Sequence, residues 1–251
     1  MENSSPKKTE PIKRNQPKAD LYETPNFGDE VVNKKIAELQ QGLKDSLKDS
    51  RNKFAQCLAY NNLGTAYFRL FKYDAAEICF DLHLQIAKES THLITFGNKS
   101  KYEAKTAIIN LGCTYHMKKE YELALQTFRE AIDLADELND KASKARILSN
   151  MSNIYEDCCD FDSAIECQNQ RMELVTELCD INGQIKSAAT LGCLYCLTGQ
   201  IRKSLENYDK VITNLRMKIV QKKLGSIFDT NADENIQEDP AFYDKEVIQN
   251  K

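Results

Sequence analysis

The chain has 251 residues, 41% hydrophobic and 29% charged, enough apolar material for a sizeable core in one domain or two small ones. With 34 basic and 38 acidic residues its formal charge is −4, which supplies no overall positive field for nucleic acid or an anionic membrane. No run of 18 apolar residues occurs, and the opening MENSSPKKTEPIKRN has no apolar h-region, so no transmembrane or secretory segment is expected.

Residues 1–28 hold Pro6, Pro11, Pro17 and Pro25 and almost no apolar periodicity, which predicts a disordered arm. Its Lys7, Lys8, Lys13, Arg14 and Lys18 are broken up by Glu10, so a solvated tail is expected ahead of a localisation signal or phosphate contacts. Next, Val32, Ile36, Leu39, Leu43 and Leu47 recur at three- and four-residue steps. That spacing predicts one amphipathic helix within residues 29–50, either a cap for the central segment or a decayed half-repeat. From residue 26 to residue 239 there is no proline, which suits long uninterrupted helices and predicts an all-α chain. Residues 224–251 are expected to form an acidic disordered tail, with seven acids from Asp229 to Glu246.

The central segment repeats itself. Aligning NNLGTAY, INLGCTY, SNMSNIY and ATLGCLY superposes Tyr67, Tyr115, Tyr155 and Tyr195, at spacings of 48, 40 and 40 residues. In the same frame Leu63, Leu111, Met151 and Leu191 stand four residues earlier, and Gly64, Gly112, Ser152 and Gly192 three earlier. Nine residues after the tyrosine come Ala76, Ala124, Ala164 and Ser204, and thirteen after it Phe80, Phe128, Gln168 and Tyr208. Glycine and alanine let helices approach closely, and the aromatics fill the wedge between them. Departures from the pattern at Ser152, Gln168, Ala188 and Ser204 predict looser packing in the third and fourth units.

These L-G-x-x-Y, small-residue and aromatic positions resemble the tetratricopeptide repeat over about residues 51–223, in units of about 51–98, 99–139, 140–180 and 181–223. The resemblance implies an all-α helical-hairpin solenoid, a right-handed superhelix with a concave inner surface. The 40-residue period and the phrases AYNNLGTAYFRLFKYDAAEICFDLHLQIAKES and ADELNDKASKARILSN resemble the Partner of Inscuteable (LGN) family, with Tonsoku-like, rapsyn and kinesin light chain arrays less close. That family organises cell polarity and spindle orientation through adaptor peptides. Its C-terminal Gα-binding motifs have no counterpart in residues 224–251, so G-protein regulation is not carried over.

No catalytic constellation is legible. His83, His92 and His116 have no neighbouring Asp with Ser or Cys in a recognisable arrangement, and no Gly-rich phosphate loop occurs, so the chain is not expected to be an enzyme. Nine cysteines scattered along the chain suggest free thiols in a reducing, cytoplasmic compartment, with a nuclear or cytoskeletal place open. Cys193-x-x-Cys196 and Cys158-Cys159 lack a second ligand pair and are expected to be packing thiols. No metal and no cofactor are expected.

The functional candidate is the groove that the resemblance implies. Its positions on the first helix of each unit give Asn61, Thr65 and Arg69, then Thr106, Ile109 and Cys113, then Arg146, Ser149 and Asn153, and finally Lys186 and Ala189. Such a surface suits an extended or helical protein segment carrying acidic and apolar residues, held through Asn153, Arg146 and Lys186. Thr65 and Cys113 stand where a co-chaperone carboxylate clamp would continue its asparagine ladder, which disfavours chaperone binding. The expectation is a non-enzymatic scaffold or adaptor that binds a partner peptide, with no membrane insertion, nucleic acid or small-molecule substrate. The alternative is a structural subunit of a larger ciliary, axonemal or chromatin-associated assembly.

Overall fold

A computed structural model describes residues 28–90 and 97–228, with side chains up to residue 220. Among the described residues every regular element is an α-helix: α1 (Glu30–Lys48), α2 (Lys53–Arg69), α3 (Tyr73–Glu89), α4 (Gly97–Met117), α5 (Tyr121–Glu137), α6 (Lys141–Asp157), α7 (Phe161–Glu177), α8 (Ile181–Leu197) and α9 (Ile201–Phe228). They fall into two compact units, the first holding α1–α4 up to Lys118 and the second α5–α9 from Lys119. The expected N-terminal arm, up to residue 27, and residues 229–251 of the expected tail lie outside the described residues. Residues 224–228, expected to begin that tail, are the last turn of α9.

Short polar side chains start α1, α2, α6, α7 and α8. Asp29 Oδ1 accepts from the amides of Val31 (2.8 Å) and Val32 (3.3 Å), and Asn52 Oδ1 from that of Ala55 (3.1 Å). Asp140, Asp160 and Asp180 each accept from the amide three residues on, at 2.9, 3.2 and 2.9 Å. Each cap satisfies a helix-end donor that has no partner within its helix. The stops obey the repeat as well. Phe71, Lys119, Cys159 and Gly199 all stand four residues after a repeat tyrosine, and all have φ between 58° and 74°. In that left-handed conformation the chain reverses within two or three residues. The next amide then closes the turn on the tyrosine's own carbonyl: Lys72 to Tyr67 at 2.9 Å, Asp160 to Tyr155 at 2.8 Å and Gln200 to Tyr195 at 2.7 Å. Between hairpins, Asn139 and Cys179 take the same conformation, again 40 residues apart.

Packing follows the small-against-aromatic pairs. A Cβ placed on Gly64 would lie 2.7 Å from the Phe80 ring and 3.0 Å from Cys79 Cβ, so α3 sits against α2 at a distance only glycine permits. Gly192 meets the ring of Tyr208 in the same way, at 2.9 Å. In the α6–α7 hairpin serine replaces glycine and glutamine the aromatic. Ser152 and Gln168 are nonetheless buried, and Ser152 Oγ donates to the Ala164 carbonyl at 3.3 Å. Ser204 Oγ likewise donates to the Gly192 carbonyl at 2.7 Å, and Ala188 is fully buried. The looser packing expected at these four departures is therefore not what the structure shows, because each serine hydroxyl bonds a carbonyl of the facing helix. At the other end, α1 buries Ile36 and Leu43 and packs on α2, where Gln40 Nε2 donates to the Tyr67 hydroxyl at 3.1 Å. No helix among the described residues is long and apolar enough to cross a membrane.

Candidate functional site

The expected groove residues divide between the two units. In the first, α2 and α4 are tied together by Asn110 Nδ2, which donates to Asn61 Oδ1 at 2.8 Å across 49 residues of sequence. Asn61 is thus part of the packing, and its backbone carbonyl also accepts from Thr65 Oγ1 at 2.8 Å. Thr106 Oγ1 donates to the Tyr102 carbonyl at 2.9 Å. Asn61, Thr65, Thr106 and Cys113 are half-buried and Arg69 is exposed. Ile109 is only 2% exposed, a core side chain that offers a ligand no surface. It stands on the expected helix, but an isoleucine there turns inward with Ala107 and Ile108, both buried too.

In the second unit Arg146, Ser149 and Asn153 lie on α6, and Lys186 and Ala189 on α8, all half-buried. Between these helices runs α7, whose buried Arg171 donates from Nη1 to Ser187 Oγ on α8 at 2.8 Å. The first-helix faces of this unit therefore carry two cations, two small polar groups and an alanine. That chemistry can hold carboxylates or peptide carbonyls beside short apolar side chains. Half-buried cationic stems keep some rotamer restriction before any ligand arrives, which lowers the ordering cost of binding.

The expectation of packing thiols is corrected. Cys158, Cys159, Cys193 and Cys196 are all exposed. Cys193 and Cys196 stand two residues before and one after the repeat tyrosine, on the solvent side of α8, and Cys159 occupies the left-handed turn. The Cys193 sulfur lies 3.1 Å from the Tyr208 hydroxyl, and this contact, reinforced by burial, pushes the phenol up to about 12.

One polar cluster has no counterpart among the expected sites. Cys57 on α2, His83 on α3 and Glu103 on α4 bring a sulfur, a ring nitrogen and a carboxylate oxygen within 4.8 Å of one another. His83 is fully buried, and its Nε2 lies 2.9 Å from Glu103 Oε2. Cys57 Sγ is 3.9 Å from the His83 carbonyl oxygen, and burial, reinforced by the Glu103 charge, pushes its thiol up to about 12. Cys57 and His83 are 26 positions apart and His83 and Glu103 are 20 apart, so no local spacing marks the cluster. A second charged group lies at the end of α4. Lys118 Nζ reaches Glu77 Oε2 at 2.7 Å and Asp74 Oδ1 at 3.0 Å, and although burial works against its charge, the two carboxylates hold the ammonium above its ordinary range.

Helices paired in hairpins and closed by left-handed turns at a fixed register give a fold of the tetratricopeptide type. Residues 55–137 match the tetratricopeptide repeat family model. No curated protein matches the sequence. Among solved structures, BtubC (BKLC) from P. vanneervenii is similar at a TM-score of 0.63 and 17% identity, over 86% of this chain and 82% of that one. A chain of nearly identical TPR-like repeats named as a kinesin light chain, from Podosopora anserina, is similar at 0.59 and 14%, over 74% and 88%. Aspartyl phosphate phosphatase F from Bacillus subtilis is similar at 0.54 and 14%, over 71% and 54%. At these identities the likeness is one of fold, an all-α arrangement of helical hairpins.

Proposed function

We propose that the chain is a non-enzymatic adaptor that holds a segment of another protein along the first-helix faces of its repeats. The reading rests chiefly on Arg146, Asn153 and Lys186 in the second unit, polar side chains on equivalent helices that are left half-buried. The ligand is an extended or helical peptide with carboxylates for Arg146 and Lys186 and a small apolar side chain for Ala189. In the first unit Thr65, Arg69, Thr106 and Cys113 keep accessible surface at the corresponding positions. Asn61 and Ile109 drop out of the ligand contacts, because the first is bonded to Asn110 and the second is buried. The units of about 51–98, 99–139, 140–180 and 181–223, the likeness to 40-residue LGN-type repeats and a cytoplasmic place belong to the same proposal.

The test is affinity capture from native extract with quantitative mass spectrometry. Wild type runs beside an Arg146→Glu, Asn153→Ala, Lys186→Glu variant whose far-ultraviolet circular dichroism matches it. Loss of specific partners supports groove binding, whereas an unchanged partner set overturns it.

The structural-subunit alternative has an observation of its own. Leu205 and Leu215 on α9 stand 40 residues after Ile165 and Val175 on α7. The α7 pair is buried, whereas Leu205 is 61% exposed and Leu215 43%. Ile201, Ile212 and Ile219 extend the exposed row at helical spacing. A permanent neighbour seated there would co-purify at fixed stoichiometry and be lost on Leu205→Glu with Ile212→Glu, while the groove variant would keep it.

A further inference from the structure

We propose that Cys57, His83 and Glu103 form a binding site for one divalent transition-metal ion of zinc type, stapling α2, α3 and α4 together. The three residues supply a thiol, an imidazole and a carboxylate, the donor set that borderline-soft ions such as Zn²⁺ take and that Mg²⁺ or Ca²⁺ do not. Their ligand atoms lie within 4.8 Å of one another. A tetrahedral zinc ion with such ligands holds them roughly 3.3–3.8 Å apart, given bond lengths of about 2.0–2.3 Å. Side-chain rotation of about an ångström closes the difference.

A core histidine paired with a glutamate would look similar, but the thiol beside the pair separates the cases. Cys57 is buried with its sulfur within 4.8 Å of both the imidazole nitrogen and the carboxylate oxygen, a third donor that a histidine–glutamate pair does not need. The carboxylate of Glu103, by contrast, is 21% exposed. It gives an ion a way in from solvent, and it leaves room for a water as fourth ligand. Charge balance also fits. On binding, the Cys57 thiol releases its proton to solvent, the sulfur forms the metal bond, and the thiolate and carboxylate together cancel the two positive charges. The buried centre is then neutral, which keeps its desolvation cost low. Zinc is neither oxidised nor reduced, so the site is structural. It is independent of the groove reading, and it departs from the expectation of no metal that sequence spacing suggested.

The experiment uses the full chain with its exposed thiols Cys158, Cys159, Cys179, Cys193 and Cys196 changed to serine, so that surface sulfurs cannot bind metal in their place. After treatment with a chelator, Co²⁺ is titrated as a spectroscopic probe and then displaced by Zn²⁺. The expected result is one equivalent of Co²⁺ per chain, with a thiolate-to-cobalt charge-transfer band that Zn²⁺ abolishes, and a zinc-dependent rise in Tm. Cys57→Ser removes the band. His83→Gln and Glu103→Gln each weaken binding by about tenfold or more and reduce the Tm rise. Should Cys57→Ser fail to fold by circular dichroism, Glu103→Gln carries the test, because its side chain reaches the surface and glutamine keeps its size. A protein without a charge-transfer band, or one whose band survives Cys57→Ser, overturns the proposal. So does unchanged affinity in Glu103→Gln.

Discussion

Two glycines in neighbouring helices make opposite predictions for the same substitution. Gly42 lies in α1 with no atom within 4 Å of where a Cβ would go, and Gly64 lies in α2 against Phe80 and Cys79. Glycine to alanine inside a helix gains about 1 kcal/mol from backbone entropy at either place. At Gly42 nothing opposes the gain, so Gly42→Ala stabilises by about 1 kcal/mol. At Gly64 the new methyl meets the ring at 2.7 and 2.9 Å, roughly an ångström inside ordinary carbon contact. Phe80 is buried and cannot swing away, so the overpacking cost of about 2–3 kcal/mol exceeds the helix gain and Gly64→Ala destabilises by about 1–2 kcal/mol. Urea unfolding of the two variants beside wild type, read at constant m-value, measures the difference of about 2–3 kcal/mol. Equal stabilisation by both would mean that α3 does not seat on Gly64, and the packing account of the repeat would fail. Coupling is checked by Phe80→Leu in the Gly64→Ala background, which should recover at least about 1 kcal/mol of the loss through the freed space.

Further consequences are open to direct measurement. Cys179 holds φ of 54° on the surface, so Cys179→Gly relieves left-handed strain and should raise stability by about 1 kcal/mol in the same urea assay; no change would show the turn to be unstrained. Burial pushes the thiol of Cys167 up to about 11 and that of Cys79 higher still. The unfolded chain then releases these protons first, so stability is level below the unfolded thiol value near about pH 8.5 and falls above it by up to about 1.4 kcal/mol per pH unit for each thiol. Cys79→Ala should make the slope between about pH 9 and 10.5 shallower, and an identical slope would contradict its burial. In the second unit, Ile165→Ala should cost about 2–4 kcal/mol and Leu205→Ala under about 1 kcal/mol, as thermal unfolding will show. Similar losses would mean that the α9 row is covered in solution.

Legibility in the sequence depends on which physical rule wrote each position. Tyr67, Tyr115, Tyr155 and Tyr195 are legible because each fills the same wedge in a repeated hairpin, so one packing problem is solved four times and periodicity exposes it. The left-handed turn residues share that register but are not legible, since Phe71, Lys119, Cys159 and Gly199 have nothing in common as side chains. There the backbone sets the requirement and the turn hydrogen bonds enforce it, whatever the residue. Ile109 shows a different limit. Its helical position is readable, but whether that position faces a ligand or the core depends on how its own helix is rotated, which one sequence does not record.

Cys57, His83 and Glu103 lie beyond any local pattern, because three consecutive helices each contribute one residue and only their packing brings the atoms together. The repeat itself shows that stacking does not demand them. Cys57 stands ten residues before Tyr67, and the same position in the later units holds Lys105, Ala145 and Ile185, none of which offers a thiol. Ala145 is buried there as Cys57 is, so an apolar side chain fills this place without the cost of a buried thiol and imidazole beside a carboxylate. A bound ion offsets that cost at the one place where the three donors meet, since it binds the thiolate, the imidazole and the carboxylate together. Removing the donors without metal present separates the two contributions. If Cys57→Ala in the chelator-treated protein is at least as stable as wild type, and wild type gains stability only with Zn²⁺, the cluster is held for the ion and not for the core.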